Sequence, residues 1–300
     1  MTTEGALRAE IVEVGRRMYA RGYTASNDGN ISTRLGNDRL LMTPKSVCKG
    51  FMTPDMMCIT DLDGRKLQGD RDPSSEMLMH LEVYRQRPDV QAVVHAHPPI
   101  ATGFAVAGIA LTRPVLAEVL TTLGSIPIAE YATPSTSELP QAVRKYIKAH
   151  DGMLLANHGA LTVGGDLLGA YYKMETIEHF AKISLVARLL GRENLIAREE
   201  VARLQELRGT YGIKAPAPIC EDPPPAGEDA TCQIVDAPAG GGLRLVADLL
   251  DSPFGQGASK PSAKPGDTSP TPSATADGEE IRLTYRELSS LIEEAIRSLR

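Results

Sequence analysis

The residues best suited to chemistry lie in Val-Val-His-Ala-His-Pro, residues 93–98. Two β-branched residues lead into the stretch and favour a strand, where residues two apart project on one face. His95 and His97 therefore point the same way and can fill two corners of a metal's coordination shell. A catalytic zinc takes three protein ligands and keeps a position open. The third is expected to be His158, in Leu-Leu-Ala-Asn-His-Gly-Ala (154–160), where another apolar run ends at a glycine turn. Alone, the His-x-His pair fits a metal site or two buried histidines with ordinary hydrogen-bond partners; its neighbours must decide.

Two polar stretches could take an anion. In Ser-Asn-Asp-Gly-Asn-Ile-Ser-Thr-Arg (26–34) a glycine-containing turn runs into a strand. It reads either as a tight turn or as a cradle of backbone N–H groups and the Asn30 amide around a phosphate. In Asp-Pro-Ser-Ser-Glu-Met-Leu-Met-His-Leu-Glu-Val-Tyr (72–84), Ser74 is expected to cap a helix with Ser75 and Glu76 in its first turn. An acid there complements the helix dipole, and a helix start with two hydroxyls is also a phosphate site, with Glu76 beside whatever binds. His80, one turn on, reads as structural or as a support for that site. Lys45 and Ser46 follow a short strand over 40–43 that breaks at Pro44, and Lys49 is nearby.

These residues need positioning elements. Helical spacing predicts helices over 5–21, 100–106, 137–150, 167–190 and 199–207. Strands are expected over 40–43, 56–61, 153–156 and 161–163, with a hairpin turn at 61–64. The apolar segments 115–122 and 126–129 suit strand or helix equally. Glu175, Glu178 and His179 on the long helix mimic metal ligands but read as a solvated face. Helices interleaved with many short strands indicate an α/β fold of three layers with the sheet in the middle.

Bulk properties narrow the function. Three hundred residues allow a sizeable core, and a net charge of −6 gives no basic footprint for nucleic acid. No apolar run reaches membrane length and the first residues carry no signal-peptide pattern. Cys48, Cys58, Cys220 and Cys232 show neither close pairing nor Cys-x-x-Cys spacing, so reduced thiols and a cytoplasmic location are expected. Eleven of the 21 prolines follow Ala215, which divides the chain into a globular part (1–214), a linker (215–280) and a terminal segment (281–300).

Taken together, Gly29-Asn-Ile-Ser32, Pro73-Ser-Ser-Glu76, His95-Ala-His97, Asn157-His-Gly159 and Tyr211-Gly212, in this order and spacing, resemble the class II aldolase/adducin family. The resemblance implies an αβα sandwich around a mainly antiparallel sheet, and a homotetramer with sites between subunits. It implies that His95, His97 and His158 ligate zinc or another divalent metal, with Glu76 as acid/base also near the metal. Asn30, Ser74 and Ser75 would hold a substrate phosphate. The implied reaction cleaves a deoxy-ketose 1-phosphate, such as L-fuculose 1-phosphate, to dihydroxyacetone phosphate and an aldehyde such as lactaldehyde. Alternatives on the same metal site are a pentulose-phosphate 4-epimerase, a methylthioribulose-phosphate dehydratase and a non-catalytic adducin-like module. Two positions depart from the pattern. Lys45-Ser46 replaces the family's Thr-Gly or Ser-Gly and adds a charged phosphate contact or serves another substrate. Leu116 falls where the family carries a tyrosine that protonates the leaving aldehyde oxygen, with Glu118 and Tyr131 as nearby candidates.

The terminal segment has its own pattern. Thr284-Tyr-Arg-Glu287 matches a capping box, and Leu288, Leu291, Ile292, Ala295, Ile296 and Leu299 mark one helical face. A lone helix of this length is marginal in water. It either docks on its own domain or, tethered by the linker, resembles an encapsulation peptide that binds a bacterial microcompartment shell protein.

Overall fold

The computed structural model describes residues 3–210 together with Ile213 and Ile219. The expectations for the linker, the helix over 281–300 and Tyr211 lie outside the described residues.

The helices in chain order are α1 (Glu4–Ala20), α2 (Met77–Gln86), α3 (Pro99–Val106), α4 (Ala117–Thr122), α5 (Glu138–Ile147), α6 (Leu167–Leu189) and α7 (Arg198–Thr210). The strands are β1 (Asn30–Leu35), β2 (Arg39–Met42), β3 (Cys58–Asp61), β4 (Lys66–Gln68), β5 (Ala92–Ala96), β6 (Ile128–Ala129), β7 (Gly152–Leu155) and β8 (Gly159–Gly164). They form one sheet ordered β4-β3-β2-β1-β5-β8-β7-β6, antiparallel throughout except for the β6–β7 pair.

Strand alternation splits the core in two. One face sends Ile31, Val94, Ala96 and Ala160 against Ile11, Val14 and Met18 of α1, Phe104 of α3, Val119 of α4 and Met174 and Ile177 of α6. The other sends Val93, Leu161 and Val163 against Met79, Leu81 and Val83 of α2 and Val143, Tyr146 and Ile147 of α5. Both faces are thus covered, giving three layers, α on β on α. Each fully buried aliphatic contributes roughly 1.5–3 kcal/mol relative to exposure. The caps are local: Thr3 Oγ1 accepts from Ala6 N at 3.3 Å, and Asp166 Oδ1 accepts from Gly169 N at 2.6 Å. Among the described residues no helix is long and apolar enough to cross a membrane.

Three expectations change. The two ambiguous segments resolve into the helix α4 and the short strand β6, which pairs in parallel with β7 through Ile128 and Leu154. α2 begins at Met77 rather than at Ser75, because Ser74–Glu76 form a turn in which Met77 N donates to Ser74 O at 3.1 Å. Glu178, half-buried at an open cleft, does more than sit on a solvated face: its carboxylate accepts from Ile100 N (3.1 Å) and Ala101 N (2.8 Å), capping α3, which follows the His95–His97 stretch.

Candidate metal centre and active site

The site forms at the ends of β1, β5 and β8, the middle of the sheet. Asn30 pairs with His95 across β1 and β5, and His95 with Leu161 across β5 and β8. Paired residues share a face, so Asn30 and His95 both look toward α2. His158 arrives from the tight turn between β7 and β8, where Asn157 takes the left-handed conformation (φ 55°) that asparagine tolerates better than most residues. Two glycines permit this crowding. A Cβ on Gly159 would lie 2.5 Å from Ala96 O and 2.6 Å from His97 Cδ2. Gly29 has φ 71°, and a Cβ there would lie 2.9 Å from His95 O.

The three imidazoles converge, with ring centroids 5.0 Å apart for His95–His97, 4.7 Å for His95–His158 and 5.1 Å for His97–His158. One nitrogen from each lies within 4.8 Å of the others. Proton placement identifies what this cluster suits. His95 Nδ1 must donate to Ala160 O (2.9 Å), since a carbonyl only accepts. Burial pushes the pKa of His95 well below its ordinary value, so the ring is neutral and its Nε2 carries a lone pair. That lone pair faces His97 Nε2 at 3.1 Å and Glu76 Oε2 at 3.3 Å. His97 in turn has Nδ1 3.4 Å from Asp28 Oδ2, which leaves its Nε2 as an acceptor too. Buried Glu76 Oε1 and His158 Nδ1 have no hydrogen-bond partner. Acceptors that converge without donors fit a cation, and nitrogen and oxygen ligands fit zinc.

Glu76 closes the cluster, with Oε1 3.1 Å from His158 Nε2 and Oε2 accepting from Asn30 Nδ2 at 2.7 Å. Burial pushes its carboxyl up, while the N–H that the Asn30 amide donates to it favours the ionised form, as a cation held among the imidazoles would. Asn30 is itself buried, so its amide is fixed.

Two loops that carry the expected anion ligands are stitched together by backbone. Lys45 N donates to Asp72 O (3.0 Å) and Ser74 N to Thr43 O (3.2 Å), which sets 43–46 beside 72–76. Ser74 is buried and its Oγ accepts from Glu76 N at 3.2 Å, whereas Lys45, Ser46 and Ser75 are exposed. The third loop, 26–30, is tied in by Lys49, which the sequence placed nearby without a role. Lys49 is buried, and its Nζ donates to Asn27 O (3.0 Å) and Val47 O (2.6 Å); burial pushes its pKa down to about 8. The role of Asp28, beside His97, was also missed. A polar residue in a glycine turn carries no local sign that it supports a histidine.

The remaining candidates stand apart. Glu118 lies on the first turn of α4 and lines, with Arg21, Tyr23, Leu116, Glu175 and His179, an open cleft of about 900 Å³ that the three histidines do not line. Tyr131 is 61% exposed. Glu175 is no metal ligand in this arrangement, being bonded to Tyr171 and, at 2.8 Å, to Arg21.

Comparison with known proteins converges on one group. The family described as the Class II Aldolase and Adducin N-terminal domain matches residues 9–185. A 3-oxo-tetronate 4-phosphate decarboxylase of Escherichia coli (strain K12) is 33% identical over 187 residues, 61% of this chain and 88% of that one. A 5-deoxy-D-ribulose 1-phosphate aldolase of Bacillus thuringiensis serovar kurstaki is 33% identical over 207 residues, 68% of this chain and 96% of that one. The crystal structure of L-fuculose-1-phosphate aldolase from Thermus thermophilus superposes with a TM-score of 0.56 at 32% identity, covering 64% of this chain and 98% of that one.

Proposed function

The chain belongs to the Class II Aldolase and Adducin N-terminal domain family, and from that premise we propose that it is a zinc-dependent aldolase acting on a deoxy-ketose 1-phosphate such as L-fuculose 1-phosphate. The products are dihydroxyacetone phosphate and an aldehyde such as lactaldehyde. The observation that carries this reading is the convergence of one nitrogen each from His95, His97 and His158, within 4.8 Å of one another, with the Glu76 carboxylate 3.1–3.3 Å from two of them.

His95, His97 and His158 would hold the metal, with Glu76 near it. Zinc, when bound, supplies Lewis-acid stabilisation of the negative charge that develops on the ketose oxygens as the bond between C3 and C4 breaks. As that bond breaks, the ionised Glu76 carboxylate takes the proton of the C4 hydroxyl, the electron pair stays with C3, and the carboxyl group so formed returns that proton to C3. Asn30 and Ser74, with Ser75, Ser46 and Lys45 at the rim, hold the phosphate away from the reacting carbons and so supply positioning energy.

The same constellation suits loss of carbon dioxide from a phosphorylated 3-oxo acid, the chemistry named for the 33%-identical Escherichia coli relative, because there too a carbon–carbon bond breaks beside a carbonyl. The test is a screen of the zinc-loaded protein against L-fuculose 1-phosphate, 5-deoxy-D-ribulose 1-phosphate, a pentulose 5-phosphate and 3-oxo-tetronate 4-phosphate. Dihydroxyacetone phosphate with an aldehyde from one of the 1-phosphates is expected. Release of carbon dioxide as the main reaction selects the decarboxylase instead. Epimerised pentulose phosphate without cleavage, or no turnover of any of the four, contradicts the proposal.

A further inference from the structure

Behind Glu76 and Asn30 runs a chain of buried polar groups, Ser32, His80 and Tyr84, to which the proposed reaction gives no role. Glu76, His80 and Tyr84 are spaced by four along the start and body of α2, one above another on a single face. Asn30 and Ser32 are spaced by two on β1 and share the face toward them. The two sets interlock. Tyr84 OH lies 2.9 Å from Ser32 Oγ, Ser32 Oγ 2.7 Å from His80 Nδ1, His80 Nε2 2.5 Å from Asn30 Oδ1, and Asn30 Nδ2 2.7 Å from Glu76 Oε2. Asn30, Ser32, His80 and Tyr84 are all buried, so water does not substitute for any link.

The direction of every proton follows from the carboxylate. A carboxylate only accepts, so Asn30 must turn its NH₂ toward Glu76 and its oxygen toward His80. That oxygen needs a donor, which places a proton on His80 Nε2. A buried neutral imidazole then has a bare Nδ1, which Ser32 Oγ–H fills, and Ser32 in turn accepts from Tyr84 O–H. All four donors point the same way and polarise one another toward Glu76. An Asn30 amide turned over would set its oxygen against the Glu76 carboxylate and its NH₂ against the His80 N–H. Both contacts would be repulsive.

We propose that His80 is a positioning residue for the reaction: its Nε2–H tautomer, enforced by Ser32 and Tyr84, fixes which edge of the Asn30 amide faces Glu76 and so fixes the Glu76 carboxylate. This rests on the reading of Glu76 as the proton carrier, but the tautomer itself does not.

Two measurements on the zinc-loaded full chain test it. In ¹⁵N-histidine-labelled protein, the resonance that disappears in His80→Gln should report a neutral ring protonated at Nε2; protonation at Nδ1, or a charged ring at pH 7, overturns the proposal without reference to activity. With L-fuculose 1-phosphate, or the substrate identified by the screen, His80→Leu should lower kcat about 10- to 100-fold, with zinc content unchanged and KM altered less than threefold. His80→Gln, which can still donate to Asn30, should recover most of the loss. If His80→Leu does not fold, Tyr84→Phe and Ser32→Ala, which release the Nδ1 end alone, should each lower kcat in the same KM-independent way. Full kcat in those variants while Glu76→Gln is inactive overturns the role of His80 alone; full kcat in Glu76→Gln overturns the reading of Glu76 beneath it.

Discussion

At Glu76 two influences oppose each other, and the outcome sets the chemistry available. Burial raises a carboxyl's pKa, but the N–H donated by the Asn30 amide favours the ionised form of this one, ready to sit beside a cation and to carry a proton. At His80, one turn away, burial wins over the attraction of the Glu76 carboxylate and pushes the pKa from 6.5 down to about 4. The unfolded chain therefore binds a proton between those values that the folded chain does not, and stability contributed by neutral His80 is complete above pH 6.5 and lost as pH falls toward 4. The gap corresponds to roughly 3 kcal/mol. In the metal-free protein, urea unfolding at pH 7 and pH 4 should show the parent losing up to about that much more than His80→Gln; equal losses contradict the buried neutral ring. Residue types and spacing made the three histidines, Glu76 and Asn30 legible in the sequence, because each stood in a short motif whose backbone geometry is predictable. The roles of Lys49 and Asp28 were not, because they depend on the fold bringing separate loops together, Lys49 Nζ to Asn27 O at 3.0 Å and Asp28 Oδ2 to His97 Nδ1 at 3.4 Å.

Among the elements, the pairing of β5 with β8 is the most exacting. His97 leaves the end of β5 where the β7–β8 turn delivers His158, and Gly159 is the residue between. A methyl group there would meet both the Ala96 carbonyl and the His97 ring. Gly159→Ala should destabilise the fold by about 1–3 kcal/mol, the usual cost of overpacking, and lower the zinc bound at fixed free zinc; thermal unfolding and metal analysis check it, and an unchanged melting temperature with full zinc contradicts it. The turn at Asn157–Gly159 was readable as a glycine turn, but the close approach was not, since only the register of two distant strands creates it. The start of α2 shows the same limit. Ser74 reads as a cap from its type, yet Glu76 occupies the cap position, its side chain facing imidazoles across the sheet instead of its own helix end.

Across the whole described structure, two hydrophobic cores on opposite faces of one sheet hold the central strands rigid, and the candidate site stands at the ends of three of them. Helix periodicity and strand alternation were enough to expect three layers with the sheet between. The strand order was not accessible, because an antiparallel sheet pairs β1 with β5 and β5 with β8 across long sequence separations that no local pattern encodes. The site's polar residues face α2, while α3 and α6 brace the same strands from behind through Phe104, Met174 and the Glu178 cap. Such a scaffold explains how a carboxylate, an amide and three imidazoles can be held without room to relax. The most direct measurement is a side-by-side comparison of Glu76→Gln and the parent for bound zinc and for turnover of the substrate found in the screen. Retained zinc with a loss of kcat of about 100-fold or more is the predicted result; full turnover in the variant would contradict Glu76 as the group that moves the proton.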